Sequence, residues 1–241
     1  YQINSWISLN LTFQTKNMFY RIQASSFMKY LVLLIFVSFQ VTAQTKNLKK
    51  HIAYLASDEL EGRGTGTPAE IKAGDYIIGQ FKKIGLKPLG ENGNYRQLFA
   101  AKKGVPPNIS QVNANNILGW IDNGKTESII IGAHYDHLGM GDQGSSLMAN
   151  SNGQVHNGAD DNASGVAGMI ELARFYAKNK VIENYNFIFL AFSGEELGLM
   201  GSKYLLDNAT FDLKNINCMV NLDMIGRYRE DKGVSIGGIG T

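Results

Sequence analysis

The sequence predicts an α/β fold with three layers, α/β/α, around a largely parallel central sheet. Three apolar segments have the length and composition of buried strands: Ser128 to Ala133, Tyr185 to Phe192 and Asn217 to Leu222. Two segments with apolar residues at helical spacing, Asn162 to Lys178 and Leu197 to Asn208, separate these strands. Strands that alternate with helices in this way pair in parallel, and the helices cover both faces of the sheet.

The composition is that of an ordinary globular protein. Hydrophobic residues make up 44% of the 241 positions, which is enough to bury a core in one large α/β domain. The single cysteine, Cys218, excludes a disulfide scaffold, and its place in an apolar strand predicts a small buried side chain. The formal net charge of +2 is too low to indicate a nucleic-acid surface, so no nucleic-acid partner is expected.

The segment that begins at Met28 has the layout of a secretory signal peptide. It reads MKYLVLLIFVSFQVTAQ, with one lysine, an apolar run and small residues before a cleavage site expected after Ala43. The run is about half of the ~20 apolar residues that span a bilayer, which disfavours the alternative of a membrane anchor. We expect residues 1–27 to be unstructured upstream translation and residues 28–43 to be the signal peptide. The domain 44–241 is then exported to the periplasm or the medium, without stable membrane insertion.

The first part of this domain is predicted to hold two helices. Leu48 to Leu55 has the spacing of a short amphipathic helix, and a longer helix is expected over Ala69 to Ile84. Between them, Glu61 to Pro68 reads EGRGTGTP, which suggests a phosphate-binding loop only weakly because no Lys-Ser/Thr pair follows. A turn that ends in Thr67 as the helix cap explains the same letters.

The next segments predict a hairpin and a pair of strands. Residues 88–115 are rich in Gly, Asn, Pro and Lys, which is typical of a long loop or an edge hairpin. Asn116 to Ile121 and Ser128 to Ala133 are apolar runs on either side of Asn123-Gly124. This pattern predicts that the two runs are strands paired with each other.

Acidic residues and one histidine follow the predicted strands and precede a predicted helix. Ligands of open α/β sheets bind beyond the carboxyl ends of the strands, so these side chains are expected at one edge. Each has a simple alternative role, as a core histidine, a helix cap or a solvated surface residue. Carboxylates gathered at one crevice repel one another without a cation, however, which favours a metal site. The residues are His134, Asp136, Asp160, Asp161, Glu195, Glu196 and Asp223.

The mixture of one histidine with several carboxylates fits zinc, or manganese or cobalt in its place. Two bridged ions would account for so many acids around one imidazole. Of the adjacent glutamates, one can bind metal while its neighbour acts as a base toward water. Asp136 leaves the same side of an extended chain as His134, so it is predicted to orient the imidazole.

Four motifs, in this order, resemble the co-catalytic zinc aminopeptidase family. They are GAHYDH at 132–137, GADDNASG at 158–165, SGEELGLMGS at 193–202 and NLDMIGR at 221–227. The family includes bacterial leucyl aminopeptidases, glutamate carboxypeptidases and the single-zinc glutaminyl cyclases. The resemblance extends over roughly residues 47–241 and implies a zinc exopeptidase-like domain that acts on peptides.

The resemblance implies a role for each of these residues. His134 and Asp223 match ligands of one zinc ion, Asp161 matches the carboxylate that bridges two ions, and Glu196 matches a ligand of the second ion. Glu195 matches the general base. Asp160 has no metal role in this pattern, and the peptide bond that follows Asp161 is expected to be cis.

One feature of the family has no counterpart in the sequence. The family supplies a last histidine to the second metal from a segment downstream of NLDMIGR, whereas this chain ends at Thr241. His51, His137 and His156 do not match that histidine by motif. We therefore expect a domain that is incomplete at its C-terminal end, with a second zinc ion held weakly or not at all.

The function predicted from these motifs is that of a secreted aminopeptidase that hydrolyses N-terminal peptide bonds. Glu195 and Asp136 are the predicted catalytic residues, and the zinc-activated water is the nucleophile. A glutaminyl cyclase-like acyl transferase and a carboxypeptidase remain alternatives on the same fold. A catalytically inactive binding domain is the alternative from another functional class.

Overall fold

The computed structural model describes residues 45–104, 107–141, 146–228, 230–231, 233 and 235–238. The upstream segment predicted over 1–27 and the signal peptide predicted over 28–43 lie outside these residues. In the part of the chain that the structure describes, no helix has the length and hydropathy needed to span a membrane.

Six described strands form one sheet, in the order β1-β3-β5-β4-β6, with β2 paired to β3 beside that path. β4 runs parallel to β5 and to β6, whereas β3 runs antiparallel to β1, β2 and β5. The strands are β1 Lys87–Pro88, β2 Arg96–Lys103, β3 Ser110–Ile121, β4 Ser128–His134, β5 Asn186–Phe192 and β6 Ile216–Asn221.

The predicted α/β class is confirmed, and the sheet is parallel on one side and antiparallel on the other. The antiparallel side contains the β2–β3 hairpin, which confirms the edge hairpin expected in residues 88–115. The predicted pairing of β3 with β4 is wrong, because β5 lies between them. Ala191 of β5 faces Ile117 on one side and Ala133 on the other. β5 is buried along its whole length, and a strand buried on both faces is typical of the centre of a sheet.

The helices are α1 at residues 45–55, α2 Pro68–Ile84, α3 Gly165–Lys178 and α4 Met200–Asp207. The sequence signals at both ends of α2 are confirmed. Thr67 Oγ1 accepts a hydrogen bond of 3.2 Å from the backbone N–H of Glu70, and the chain leaves the helix through Gly85 at φ +95°.

The two faces of β5 explain the three layers. Phe187, Phe189 and Ala191 belong to the cluster of buried residues that contains the apolar sides of α2 and α3. The alternate residues of β5 point to the opposite face, where they pack with Leu205 of α4. Helices therefore cover both faces of the sheet, as the sequence predicts.

β6 differs from the strand that the sequence predicts. Among the described strands it pairs with β4 alone, and residues from Asn217 onward are exposed. The prediction that Cys218 is buried is therefore wrong, because an apolar strand lies at an edge of this sheet instead of at its centre. The apolar side chains of Met219 and Val220 are also about half exposed.

Candidate metal centre

The predicted site residues meet at the carboxyl ends of the three parallel strands. His134 is the last residue of β4, Glu195 and Glu196 follow β5, and Asp223 follows β6. Asp161 reaches the same edge from the irregular turn that precedes α3. The convergence predicted from strand ends is therefore present in the fold.

The first donor group consists of His134, Asp161 and Asp223. His134 Nε2 lies 3.1 Å from Asp161 Oδ1 and 3.6 Å from Asp223 Oδ1. Zinc bonds of about 2.0–2.2 Å in a tetrahedral arrangement place neighbouring ligand atoms roughly 3.3 Å apart. The imidazole is buried, and both carboxylates are partly exposed. This donor set fits a zinc ion.

The second donor group consists of His137, Asp161 and Glu196. His137 Nδ1 lies 2.7 Å from Glu196 Oε1 and 4.0 Å from Asp161 Oδ2. The structure thus places a histidine beside Asp161 and Glu196, although it is not the downstream histidine of the family pattern. The two oxygens of Asp161 face different groups, Oδ1 the first and Oδ2 the second, which is the arrangement of a bridging carboxylate.

The sequence motifs do not predict His137 in this donor group, because its position depends on contacts far along the chain. Its backbone N–H donates a hydrogen bond of 3.1 Å to the carbonyl of Arg63, and Gly64 forms an isolated β-bridge with it. These contacts redirect the chain just beyond β4. The letters HYDH place a second histidine three positions after the first, and this spacing is the sequence signal that could have predicted a second imidazole near the site.

Asp136 is fully buried beneath the two glutamates. Its carboxylate accepts hydrogen bonds from Thr65 Oγ1 at 2.8 Å and from the backbone N–H groups of Glu195 at 3.2 Å and Glu196 at 3.4 Å. Its distance to His134 Nδ1 is 3.6 Å, and the Asp136 carbonyl lies closer to that atom, at 3.1 Å. The hydrogen-bond partner of the imidazole is thus the Asp136 carbonyl, and the Asp136 carboxylate holds the turn that carries the glutamates.

Glu195 lines a cavity of about 290 Å³ together with His134 and Asp223, and the apolar side chains of Leu199 and Met219 also line this cavity. Partial burial raises the pKa of Glu195, and the charges of Glu196, Asp136 and Asp223 add to this effect, while the charge of His134 opposes it. A carboxylate with a raised pKa is better matched to proton transfer near neutral pH.

The electrostatics of the first donor group centre on His134. Burial lowers its pKa, but hydrogen bonds to Asp136, Asp161 and Asp223 outweigh this effect and raise the pKa to about 12. The hydrogen bond to His134 also lowers the pKa of Asp161. In the absence of a metal, a proton on the imidazole thus compensates the carboxylates, and a bound cation takes over that role.

The turn before α3 is fixed by its polar side chains. The peptide bond between Asp161 and Asn162 is cis, as the resemblance implies. Asp160 Oδ1 accepts a hydrogen bond of 2.9 Å from the backbone N–H of Gly226, and Asn162 Nδ2 donates one of 2.9 Å to the carbonyl of Leu222. Both contacts join the turn to the segment that carries Asp223.

The comparison with family models identifies the chain. The model of peptidase family M28 matches residues 116–239, a range that contains both donor groups and about half of the chain. The chain belongs to peptidase family M28. A similar protein, the alkaline phosphatase isozyme conversion protein of Escherichia coli, is 35% identical over 164 residues. That match covers 67% of this chain and 46% of the relative.

Other similar proteins carry more than one functional name. A "Probable leucine aminopeptidase" of Arthroderma otae is 27% identical over 171 residues, which cover 69% of this chain and 41% of that relative. A leucine aminopeptidase precursor of Bacteroides thetaiotaomicron has a similar fold, with a TM-score of 0.59 at 19% identity, covering 75% of this chain and 62% of that one. A glutaminyl cyclase of Porphyromonas gingivalis also has a TM-score of 0.59, at 18% identity, covering 75% of this chain and 61% of that one. The chain spans less than half of these curated relatives, and its fold is similar to that of solved structures with either name.

Proposed function

We propose that this chain carries the catalytic centre of an exported, zinc-dependent aminopeptidase that binds two zinc ions. The observation that carries this proposal is the position of Asp161, whose two carboxylate oxygens face two different histidine-containing donor groups. A single ion would need only one of these groups. The proposed ligands are His134, Asp161 and Asp223 for one ion and His137, Asp161 and Glu196 for the other.

Zinc in these two groups would supply Lewis acidity toward the scissile carbonyl and would lower the pKa of a water molecule at the site. In the proposed reaction, Glu195 takes a proton from that water and later returns it to the leaving amine. Asp136 positions this base, since its carboxylate accepts the hydrogen bond from the Glu195 backbone N–H. Asp136 also contacts His134 and so supports the first donor group.

The proposed substrates are peptides, in keeping with the peptidase family and with the name of the Arthroderma otae relative. The apolar side chains of Leu199 and Met219, which line the same cavity as Glu195, suit an apolar N-terminal side chain. Export rests on the sequence from Met28 to Ala43 alone. A glutaminyl cyclase-like acyl transferase is the second candidate, because the fold resembles a glutaminyl cyclase as closely as an aminopeptidase.

Zinc content and hydrolysis by the purified chain test the proposal together. We expect two zinc ions per chain and release of p-nitroaniline from leucine p-nitroanilide. Glu195→Gln should keep the zinc and lose about 10²- to 10⁴-fold in turnover, because it removes the base and leaves the ligands. Glu183→Gln is the matched control, because Glu183 lies outside both donor groups and accepts a hydrogen bond from Asn179 beyond the end of α3. Folded protein without zinc, or an active Glu195→Gln variant, would refute the proposal; cyclisation of an N-terminal glutamine peptide would favour the acyl transferase.

A further inference from the structure

Among the residues that the structure describes, Arg63 has the largest fully buried side chain, at 1% exposure. Its guanidinium donates to four carbonyl oxygens: Tyr135 at 2.9 Å, Asn157 at 2.8 Å, Gly158 at 3.0 Å, and Leu55. A planar guanidinium holds its donors in a fixed fork, so these four acceptors are fixed relative to one another.

Two of the acceptors belong to the loops that carry metal ligands. The Tyr135 carbonyl lies next to His134 and two residues before His137. The Gly158 carbonyl lies three residues before Asp161. The guanidinium therefore joins the loop after β4 to the turn before α3.

The backbone around Arg63 supports the same loop. The carbonyl of Arg63 accepts the N–H of His137 at 3.1 Å, and the carbonyl of Gly62 accepts the N–H of Gly139 at 3.0 Å. Gly62 allows this approach, because its φ is +69° and a Cβ atom there would lie 2.5 Å from the carbonyl oxygen of His156.

Thr65 extends this support to the glutamates. Its hydroxyl donates a hydrogen bond of 2.8 Å to Asp136 Oδ2, and both side chains are fully buried. Asp136 in turn accepts the N–H groups of Glu195 and Glu196. The segment from Gly62 to Thr65 thus contacts the supports of both donor groups and of the proposed base.

Charge favours the same role for Arg63. Burial lowers its pKa to about 10, while the negative charges of Asp136, Asp161 and Glu196 oppose that shift. The guanidinium therefore stays positive at neutral pH. A buried positive charge close to three carboxylates reduces their mutual repulsion.

We propose that Arg63 is a positioning residue of the metal centre: it holds the His134–His137 loop and the Asp161 turn at the separation that metal binding requires, and Thr65 does the same for Asp136. This inference rests on the proposed function, because it assigns Arg63 and Thr65 a task only if the donor groups bind metal. It also assigns a structural role to the segment EGRGTGTP, whose glycines allow its backbone to approach neighbouring loops closely.

Cobalt(II) titration of the metal-free chain tests this inference, with the visible absorption of bound cobalt as a measure of both affinity and ligand geometry. Arg63→Lys keeps the charge but cannot reach four carbonyls, and we expect at least tenfold weaker cobalt binding with an altered spectrum. Arg63→Met should weaken binding further. Thr65→Val, which changes only a hydroxyl to a methyl group, should alter the spectrum with a smaller loss of affinity.

Ile77→Ala is the control for general destabilisation, because Ile77 is fully buried in the apolar core on α2 and belongs to neither donor group. We expect this variant to melt at a lower temperature and to bind cobalt with unchanged affinity. Wild-type affinity and spectrum in folded Arg63→Lys and Thr65→Val would overturn the inference and leave the proposed function intact. Wild-type protein that takes up no cobalt would overturn the proposed function, and the inference with it.

Discussion

His137 Nδ1 lies 2.7 Å from Glu196 Oε1, and this contact joins the end of β4 to the turn after β5. The contact gives the second donor group an imidazole from within the GAHYDH motif itself. The two imidazoles of that motif thus lie on either side of Asp161, one toward each of its oxygens.

Replacement of His137 should therefore remove one ion and leave the other. In His137→Gln we expect zinc content to fall from two ions per chain to one, measured by mass spectrometry after dialysis against a weak chelator. The control is His156→Gln, since His156 bonds Ser146 and Gln154 outside both donor groups. Two ions retained in His137→Gln would show that this imidazole is not a ligand.

The adjacent aspartates should differ sharply in their effect on metal binding. Asp161→Ala removes the only donor that the two groups share, so both ions should be lost. Asp160→Ala removes a hydrogen bond to Gly226 and an ion pair of 3.3 Å with Arg227, so it should keep its zinc and melt at a slightly lower temperature. Zinc analysis of both variants checks this, and equal zinc loss in the two would contradict the assignment of Asp161 as the bridge.

Glu70 should make the stability of the metal-free chain depend on pH. Burial, and then the charge of Asp136, raise its pKa from 4.5 to about 8, although hydrogen bonds from Ser193 and Gly66 oppose the shift. The folded state thus binds this proton more tightly than the unfolded state does. Its contribution to stability is complete below pH 4.5 and is lost as the pH rises through about 8.

Urea unfolding of the wild type and Glu70→Gln, in chelator, measures this contribution. Between about pH 5 and 8 the free energy of unfolding of the wild type should fall relative to the variant by up to ~1.4 kcal/mol per pH unit. Glu183→Gln should follow the wild type at every pH. A constant difference between the wild type and Glu70→Gln would mean that Glu70 titrates alike in both states.

Two helix glycines should respond in opposite ways to alanine. Nothing lies within 4 Å of a Cβ atom added at Gly79 in α2, so Gly79→Ala should stabilise the chain by about 0.5–1 kcal/mol. At Gly201 in α4 the added atom would overlap the Ser193 carbonyl oxygen and Asn116 Oδ1. Gly201→Ala should therefore destabilise the chain by roughly 1–3 kcal/mol. Thermal unfolding of both variants tests these two expectations. A rise in melting temperature for Gly201→Ala would contradict the close approach of α4 to the end of β5.

The local sequence predicted the elements well because caps, glycines and apolar spacing act within a few residues. Thr67 and Gly85 set the bounds of α2, and the strand ends placed His134 and Asp223 at one edge. Strand partners were less predictable, because an apolar pattern shows which residues are buried and not which strand they pair with. The sequence pattern therefore did not predict that β5 lies between β3 and β4.

The parts of the site that the sequence did not predict depend on contacts between distant residues. His137 is placed by the backbone of Arg63, which precedes it by more than seventy positions in the chain. Arg63 itself appears in a glycine-rich stretch whose letters indicate only a turn. Cys218 lies in an apolar stretch of sequence that is typical of a buried strand. Its exposure follows from the position of β6 at the end of the described strand order.

The exposed edge of β6 affects how the protein behaves at high concentration. Among the strands that the structure describes, β6 pairs along one edge, and a strand edge with half-exposed apolar side chains is a template for pairing with another chain. Asp223 lies two residues beyond Asn221, the last residue of this strand. Pairing at this edge and loading of the first donor group therefore act on one short segment, and light scattering should change when zinc is removed.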